Sequence, residues 1–477
     1  MKYLIYSTCF VTPHFETELE LYKNFVQGEN EVRFLICNKQ LTRCFANPTN
    51  DKSVCSICTS KTMNGLDVVG VEKSSIFYFN DGDGQEFNGD INSLEALMSF
   101  KFNEYNIGIS VASNLISYTR NHKVDVLNHK DFVKSGIESA IKVLKGSLRI
   151  LNDYKPDFVI FFNGRFLENR PMMMACQNLG ISFMTHERGS DINKYLLNKD
   201  CLPHSLSYVK NEISRLWDDA KNDVLTRNKL AHDFFQDRRN GKIQNWFSFI
   251  LKQKKKLVPI NFDESKINIA IFNSSMDEYV TIPDFNNLIY KDDNDAIFQI
   301  LKEFKQDENF HFYLRVHPNL SGLDIPQNQE INSIGRYFSN LTIIESDSNI
   351  DSYALLEKCD KVITMGSTVG VEALYWGKPS ILIGRAYFES IKGIKIPSTH
   401  KEVIELIKSK IISSDRNEAL KFGYWSNTFG EKFNYYEPTN LVEGRFNGIE
   451  IKPSFYILLK VRLLSLFKRI LSFINIK

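Results

Sequence analysis

Two short stretches carry residue types that could act on phosphate. In HFYLRVHPNL, residues 311–320, an apolar run delivers Arg315 and His317 to its end, and Pro318 stops the backbone there. A guanidinium or imidazole so placed can neutralise phosphate oxygens. In KVITMGSTVGVEALYWGKPSILIG, residues 361–384, a buried-strand pattern runs into Gly366, Ser367 and Thr368. Small residues at that turn let amides and hydroxyls approach a diphosphate, and the helix that follows would aim its positive end at it. Glu372 falls one helical turn after Thr368, where it could accept ribose hydroxyls or act only as a capping-box partner. Ser274 and Ser275 belong to the polar stretch 273–278 after another apolar run, where a nucleotide-binding sheet presents its first phosphate loop; an Asx or Ser turn is the alternative.

A proton acceptor for a transfer reaction has three candidates in the first half, each just beyond a strand pattern: His14, Glu187 and Asp191. His14 could instead cap the helix beginning near residue 15, and Glu187 could be ion-paired to Arg188 or Arg165. Four of the eight cysteines, Cys37, Cys44, Cys55 and Cys58, fall in one expected loop (37–58) rich in turn residues, with the run NPTNDKS. Four thiols, two of them spaced Cys-x-x-Cys, suit a structural zinc ion or an iron–sulfur cluster, with free thiols as the alternative.

These residues need a scaffold that brings strand ends together. The first strand pattern covers 3–6, a helical spacing covers 16–26 and a second strand covers 31–37. A long helix is expected over 130–154, strands over 157–162 and 181–185, and a helix between them starting near Pro171. The stretch 251–265, LKQKKKLVPINFDES, has the lysine run and proline of a linker. Beyond it the pattern restarts, with strands over 267–272, 310–316, 341–344, 361–364 and 380–383 and helices over 295–304 and 352–358. Two doubly wound α/β sheets follow, in domains 1–255 and 265–430, and in such sheets ligands gather at the carboxyl ends of the strands.

With 477 residues, a net charge of only +2 and 24% charged residues, the chain suits a folded protein of two or three domains, and no global field favours nucleic acid. The N-terminal apolar run is interrupted by Thr12, Pro13 and His14, so it reads as a strand that stays in the protein, and a cytoplasmic location is expected. The last segment, 451–477, has no acidic residue and carries six Lys or Arg on an otherwise Leu/Ile/Phe-rich helix. Charges interrupt it too often for a span, so it is expected to lie on an anionic membrane surface, peripherally attached to the inner face of the cell membrane, or else to pack on the first domain.

The His317-Pro318 pair and the Ser367-Thr368 turn resemble the two donor-site motifs of bacterial sialyltransferases, polysialyltransferases and Kdo transferases. The whole pattern is similar to GT-B glycosyltransferases of capsule and lipopolysaccharide synthesis. The resemblance implies a GT-B fold, two Rossmann-like domains with a cleft between them plus a C-terminal amphipathic helix. It also implies inverting transfer from a nucleotide-sugar donor, first of all a CMP-linked one, to a glycan or glycolipid acceptor, with no cofactor for the transfer itself. In those families the His-Pro pair and the Ser/Thr turn hold the nucleotide phosphate. The acidic triplet of the polysialyl group has no counterpart here. The same twin-sheet architecture also serves non-hydrolysing nucleotide-sugar epimerases and could serve a non-catalytic polysaccharide-binding or export factor.

Overall fold

A computed structural model describes residues 1–242, 250–410 and 416–463. It divides into two compact units, Met1–Thr119 with Val124–Pro203 and Gly430–Lys477, and Arg120–Lys123 with His204–Phe429.

The first unit is built on β1 (Lys2–Ser7), β2 (Glu31–Ile36), β3 (Ile76–Tyr78), β4 (Phe158–Phe162), β5 (Ser182–Arg188) and β6 (Lys194–Lys199). Its helices are α1 (His14–Gln27), α2 (Lys52–Val69), α3 (Leu94–Ser99), α4 (Gly108–Thr119), α5 (Lys130–Tyr154) and α6 (Arg170–Leu179). The strand order is β6-β5-β4-β1-β2-β3, with the short strand Glu431–Lys432 added at the β6 edge. β1 to β5 pair in parallel, and β4, FVIFF, is the continuous apolar run that burial on both faces requires. β6 and the added strand are antiparallel. His186, Glu187 and Arg188, expected just beyond the strand pattern 181–185, lie within β5, where Glu187 is paired across to Leu196.

Alpha-1 buries three glutamates, and each finds a partner. Glu16 meets Lys61 at 2.8 Å, and Glu18 lies 3.3 Å from Nε2 of His186. The carboxylate of Glu20 accepts the successive amides of Asn434, Tyr435 and Tyr436 at 2.7, 2.9 and 3.1 Å. Tyr436, Phe446 and Ile451 then join the core formed by Ile5, Phe15 and Phe34. The chain thus returns to its first unit after completing its second.

The second unit contains β7 (Ile267–Phe272), β8 (Phe310–Arg315), β9 (Leu341–Ile344), β10 (Lys361–Thr364) and β11 (Ser380–Leu382). Their order is β11-β10-β7-β8-β9, all parallel. Its helices are α7 (Leu206–Asp219), α8 (Val224–Arg239), α9 (Asp293–Glu303), α10 (Pro326–Tyr337), α11 (Ser352–Lys358), α12 (Val369–Tyr375), α13 (His400–Lys408) and α14 (Ala419–Thr428).

The boundary between units differs from the expected one. The linker-like stretch 251–265 lies within the second unit, whose main segment runs from His204 to Phe429. Packing explains this: Val209, Ile213, Phe234 and Phe235 of α7 and α8 share a core with Leu374, Phe422 and Trp425. Phe235 stacks on Tyr375 at 4.0 Å between ring centroids. Gly423 lets α14 approach so closely that a Cβ there would stand 2.5 Å from the carbonyl oxygen of Ala231.

Of the expected C-terminal helix, 455–463 is helical and exposes Phe455, Tyr456, Leu458, Leu459 and Leu463; residues 464–477 lie outside the described residues. Among the described residues no helix is long and apolar enough to cross a membrane.

Candidate functional site

In the second unit the strand order reverses between β7 and β10, the position at which open α/β sheets bind ligands. Asn273, directly after β7, accepts the amide of His317 on its Oδ1 at 2.9 Å, which fixes the loop after β8 against the loop after β7. The His317 ring accepts the amide of Asn319 on Nδ1 at 3.2 Å, and Pro318 opens a single 3-10 turn. Burial, helped by the nearby Arg120, depresses the pKa of His317 to about 4, so the imidazole is neutral at physiological pH. Gly366, two residues after β10, is closely approached: a Cβ would stand 3.0 Å from the Arg385 carbonyl oxygen and 3.4 Å from Oγ of Ser274. Ser274, Ser275, His317, Pro318 and Gly366 therefore belong to one cluster of strand-end loops, which Ser367 and Thr368 continue into α12.

Residues that the sequence did not single out support this cluster. Asp293, at the start of α9, accepts the Ser274 amide at 3.0 Å and the Tyr279 hydroxyl at 3.0 Å, and burial pushes its pKa up to about 7. Gln327 of α10 donates to the Ser274 carbonyl at 2.8 Å. Arg120 pairs with Asp277 at 2.8 Å and reaches Ser275 and the Asn319 carbonyl at 3.4 and 3.3 Å, tying together the loops after β7 and β8.

Two expected ligands have other partners. Arg315 is buried, and its guanidinium donates to the carbonyls of Glu345 and Ser348 at 3.0 and 3.1 Å, bracing the loop after β9 away from the cluster. Glu372 is 1% exposed, with both oxygens engaged: Arg238 and Thr368 donate to one at 3.0 and 3.1 Å, Tyr353 to the other. It sits under the turn as an anchor, and Arg238 of α8 also holds the Thr368 hydroxyl at 2.9 Å.

In the first unit two of the three candidate bases come together. His14 begins α1, and its Nε2 lies 3.6 Å from Oε1 of Glu187. Asn163, held at a left-handed φ of 57° just after β4, donates to Oε2 of Glu187 at 2.9 Å, and the Arg188 amide donates to Oε1 at 3.1 Å. Arg188 turns its guanidinium to the carbonyls of Leu441 and Thr12. His14 packs on Phe162 at 4.1 Å between centroids, and burial, with His186 and Arg188 nearby, holds its pKa well below the usual histidine value. Asp191 stands apart, 41% exposed at its side chain, with its carboxylate on the Asn193 amide and near Lys194.

Cys55 and Cys58 lie in α2, which Asp51 caps, where a loop was expected. With Cys37 and Cys44 they line a small cavity of about 30 Å³. Burial raises the pKa of Cys37 and Cys44 and pushes that of Cys58 to about 12, so these thiols keep their protons. Among the described residues no three His, Cys, Asp or Glu side chains are placed to hold a metal ion.

Among solved structures, the chain is similar to the beta Kdo 2,4 transferase of Thermosulfurimonas dismutans KpsC, at 13% identity over 55% of this chain and 78% of that one, with a TM-score of 0.34. The beta Kdo 2,7 transferase of the same KpsC gives 13% identity over 67% and 89%, TM-score 0.35. S. aureus MnaA with UDP gives 13% over 90% and 92%, TM-score 0.27. No curated protein matches the chain. The sequence pattern of the family described as capsule polysaccharide biosynthesis protein matches residues 157–404, from the start of β4 through the whole cluster of strand-end loops in the second unit. That match takes in more than half of the 477 residues, and the chain belongs to the capsule polysaccharide biosynthesis protein family.

Proposed function

We propose that the chain is an inverting glycosyltransferase that moves a sugar from a nucleotide donor, a CMP-linked one in the first instance, to a lipid-linked or polysaccharide acceptor in capsule or lipopolysaccharide synthesis. The observation that carries this reading is the meeting of the loops after β7, β8 and β10, three neighbouring parallel strands, around Ser274, His317 and Gly366. Strand-end loops of this kind present amides and hydroxyls to a phosphate group. In the reaction the second unit holds the donor phosphate, which carries the leaving negative charge, and neutral His317 donates a hydrogen bond to it. The first unit supplies the base: Glu187, oriented by Asn163, takes the acceptor hydroxyl proton, with His14 beside it. The exposed apolar residues of 455–463, together with Lys460 and Arg462, support attachment to an anionic membrane surface, where a lipid-linked acceptor would be met.

The test is a thermal-shift series with CMP, CDP, UDP, GDP and dTDP, because a ligand that binds only the folded chain raises its apparent stability. One nucleotide is expected to raise the melting temperature in a saturable way, and His317→Ala to abolish the rise. A chain indifferent to all five would overturn the proposal.

A further inference from the structure

The start of α6 carries a cation that no carboxylate among the described residues answers. Arg170 is the first residue of α6, and its Nε and Nη1 are buried without a hydrogen-bond partner. Burial lowers its pKa, and no acidic neighbour acts against that. Glu168, two residues earlier, directs its carboxylate elsewhere, to the Phe45 amide at 3.1 Å and Asn114 at 3.3 Å. Asn169, between them, is fully buried; its Oδ1 accepts the Thr8 hydroxyl at 3.0 Å, while its Nδ2 has no partner.

The position matters as much as the missing partners. Thr8 follows β1, so the bond to it holds the Asn169 amide head between the ends of β1 and β4. That is where the strand order of the first sheet reverses, the place such sheets reserve for ligands. The ten residues of α6 start there without a side-chain cap, and the positive end of the helix adds to the charge of Arg170. The same loop supplies Asn163, which orients Glu187. Buried donors in consecutive residues are costly unless something outside the chain answers them.

We infer that the start of α6 is an oxyanion subsite, in which Arg170 and Asn169 hold the carboxylate or phosphate of an acidic acceptor beside the base. A guanidinium fork suits either group, since both offer two oxygens in the spacing it donates to. The inference rests on the proposal that the first unit receives the acceptor.

Calorimetric titration of the full chain with inorganic phosphate and with glucuronate, at constant ionic strength against a chloride reference, tests it. One of the two is expected to bind saturably, and which one it is identifies the acidic group. Arg170→Gln is expected to weaken that binding by at least ~10-fold, the scale of one charge-assisted contact. Arg170→Lys, which keeps the charge and loses the fork, should also bind more weakly, and it serves if the glutamine variant does not fold. Neither substitution should alter nucleotide binding. Anion binding by a chain that binds no nucleotide would uphold the subsite while removing the donor reading. Absence of saturable binding of either anion, or wild-type affinity in both variants, would overturn the inference.

Discussion

Nε2 of His14 stands 3.6 Å from Oε1 of Glu187, too far for a hydrogen bond. Burial keeps His14 neutral, so the carboxylate beside it is the candidate proton acceptor. Glu187→Gln keeps the shape and the contact with Asn163 but removes the proton-accepting oxygen. Turnover is expected to fall at least ~100-fold with nucleotide binding unchanged, measured by product formation and by titration in parallel. Near-normal turnover would transfer the role to His14.

Glu372 tests the anchor beneath the Gly-Ser-Thr turn. Alanine there leaves Tyr353 and Arg238 without their acceptor. Since 39% of the Arg238 side chain is exposed, water recovers part of the loss. A destabilisation of about 2 kcal/mol is expected from urea unfolding. Nucleotide affinity should fall less in Glu372→Gln, which retains one acceptor for Arg238, than in Glu372→Ala.

Asp293 gives a pH signature. Burial raises its folded pKa to about 7, above the unfolded carboxylate value, so its contribution is fully present below the unfolded pKa and is lost as pH rises through 7. Asp293→Asn imitates the protonated form and does not titrate. The stability of the variant relative to wild type should therefore climb between about pH 4 and pH 7 and level off above. Melting temperatures at four or five pH values would show it; a pH-independent difference would mean that Asp293 stays ionised.

How much of this was legible in the chain follows from the forces involved. Strands such as INIAIF and KVIT are short stretches rich in β-branched residues, and their bounds at 267–272 and 361–364 are those observed. The helix over 130–154 has the same clarity, with fourteen of its residues buried along one face. Alpha-2 was not legible because SVCSICTSKTMNG mixes small and polar residues without a strong apolar stripe. Arg120 and Arg238 were hidden for another reason: the loops they brace are distant in sequence, and nothing local to an arginine announces its partner. The burial of Glu372 follows from Arg238 and so was equally out of reach.

The lock between α1 and the returning chain should be measurable. Glu20→Ala strands three amides, including that of buried Tyr436, and is expected to cost about 3 kcal/mol, the upper range for hydrogen bonds to a charged group. Hydrogen exchange at residues 434–436 should accelerate well beyond that of β1 in the same sample. Uniform acceleration across the unit would show that the lock is not separable from the core.

Membrane attachment is testable by flotation with anionic vesicles. The full chain is expected to float at low salt and a chain ending at Lys452 to stay behind, with the difference shrinking as salt rises, because each basic residue near the surface contributes about 1 kcal/mol that salt screens. A full chain that ignores the vesicles at low salt would remove the attachment.

The carboxylate of Glu20, close to the amino terminus, waits for amides made more than four hundred residues later. During synthesis the ribosome therefore releases every strand of the second sheet before the first unit can close. Until Glu431–Lys432 emerges, the outer edge of β6 has no neighbour and α1 carries an unanswered negative charge in its buried face. A stalled or prematurely terminated product ending near Phe429 would then combine a finished second unit with an open first one, the sort of half-folded species that chaperones and proteases recognise.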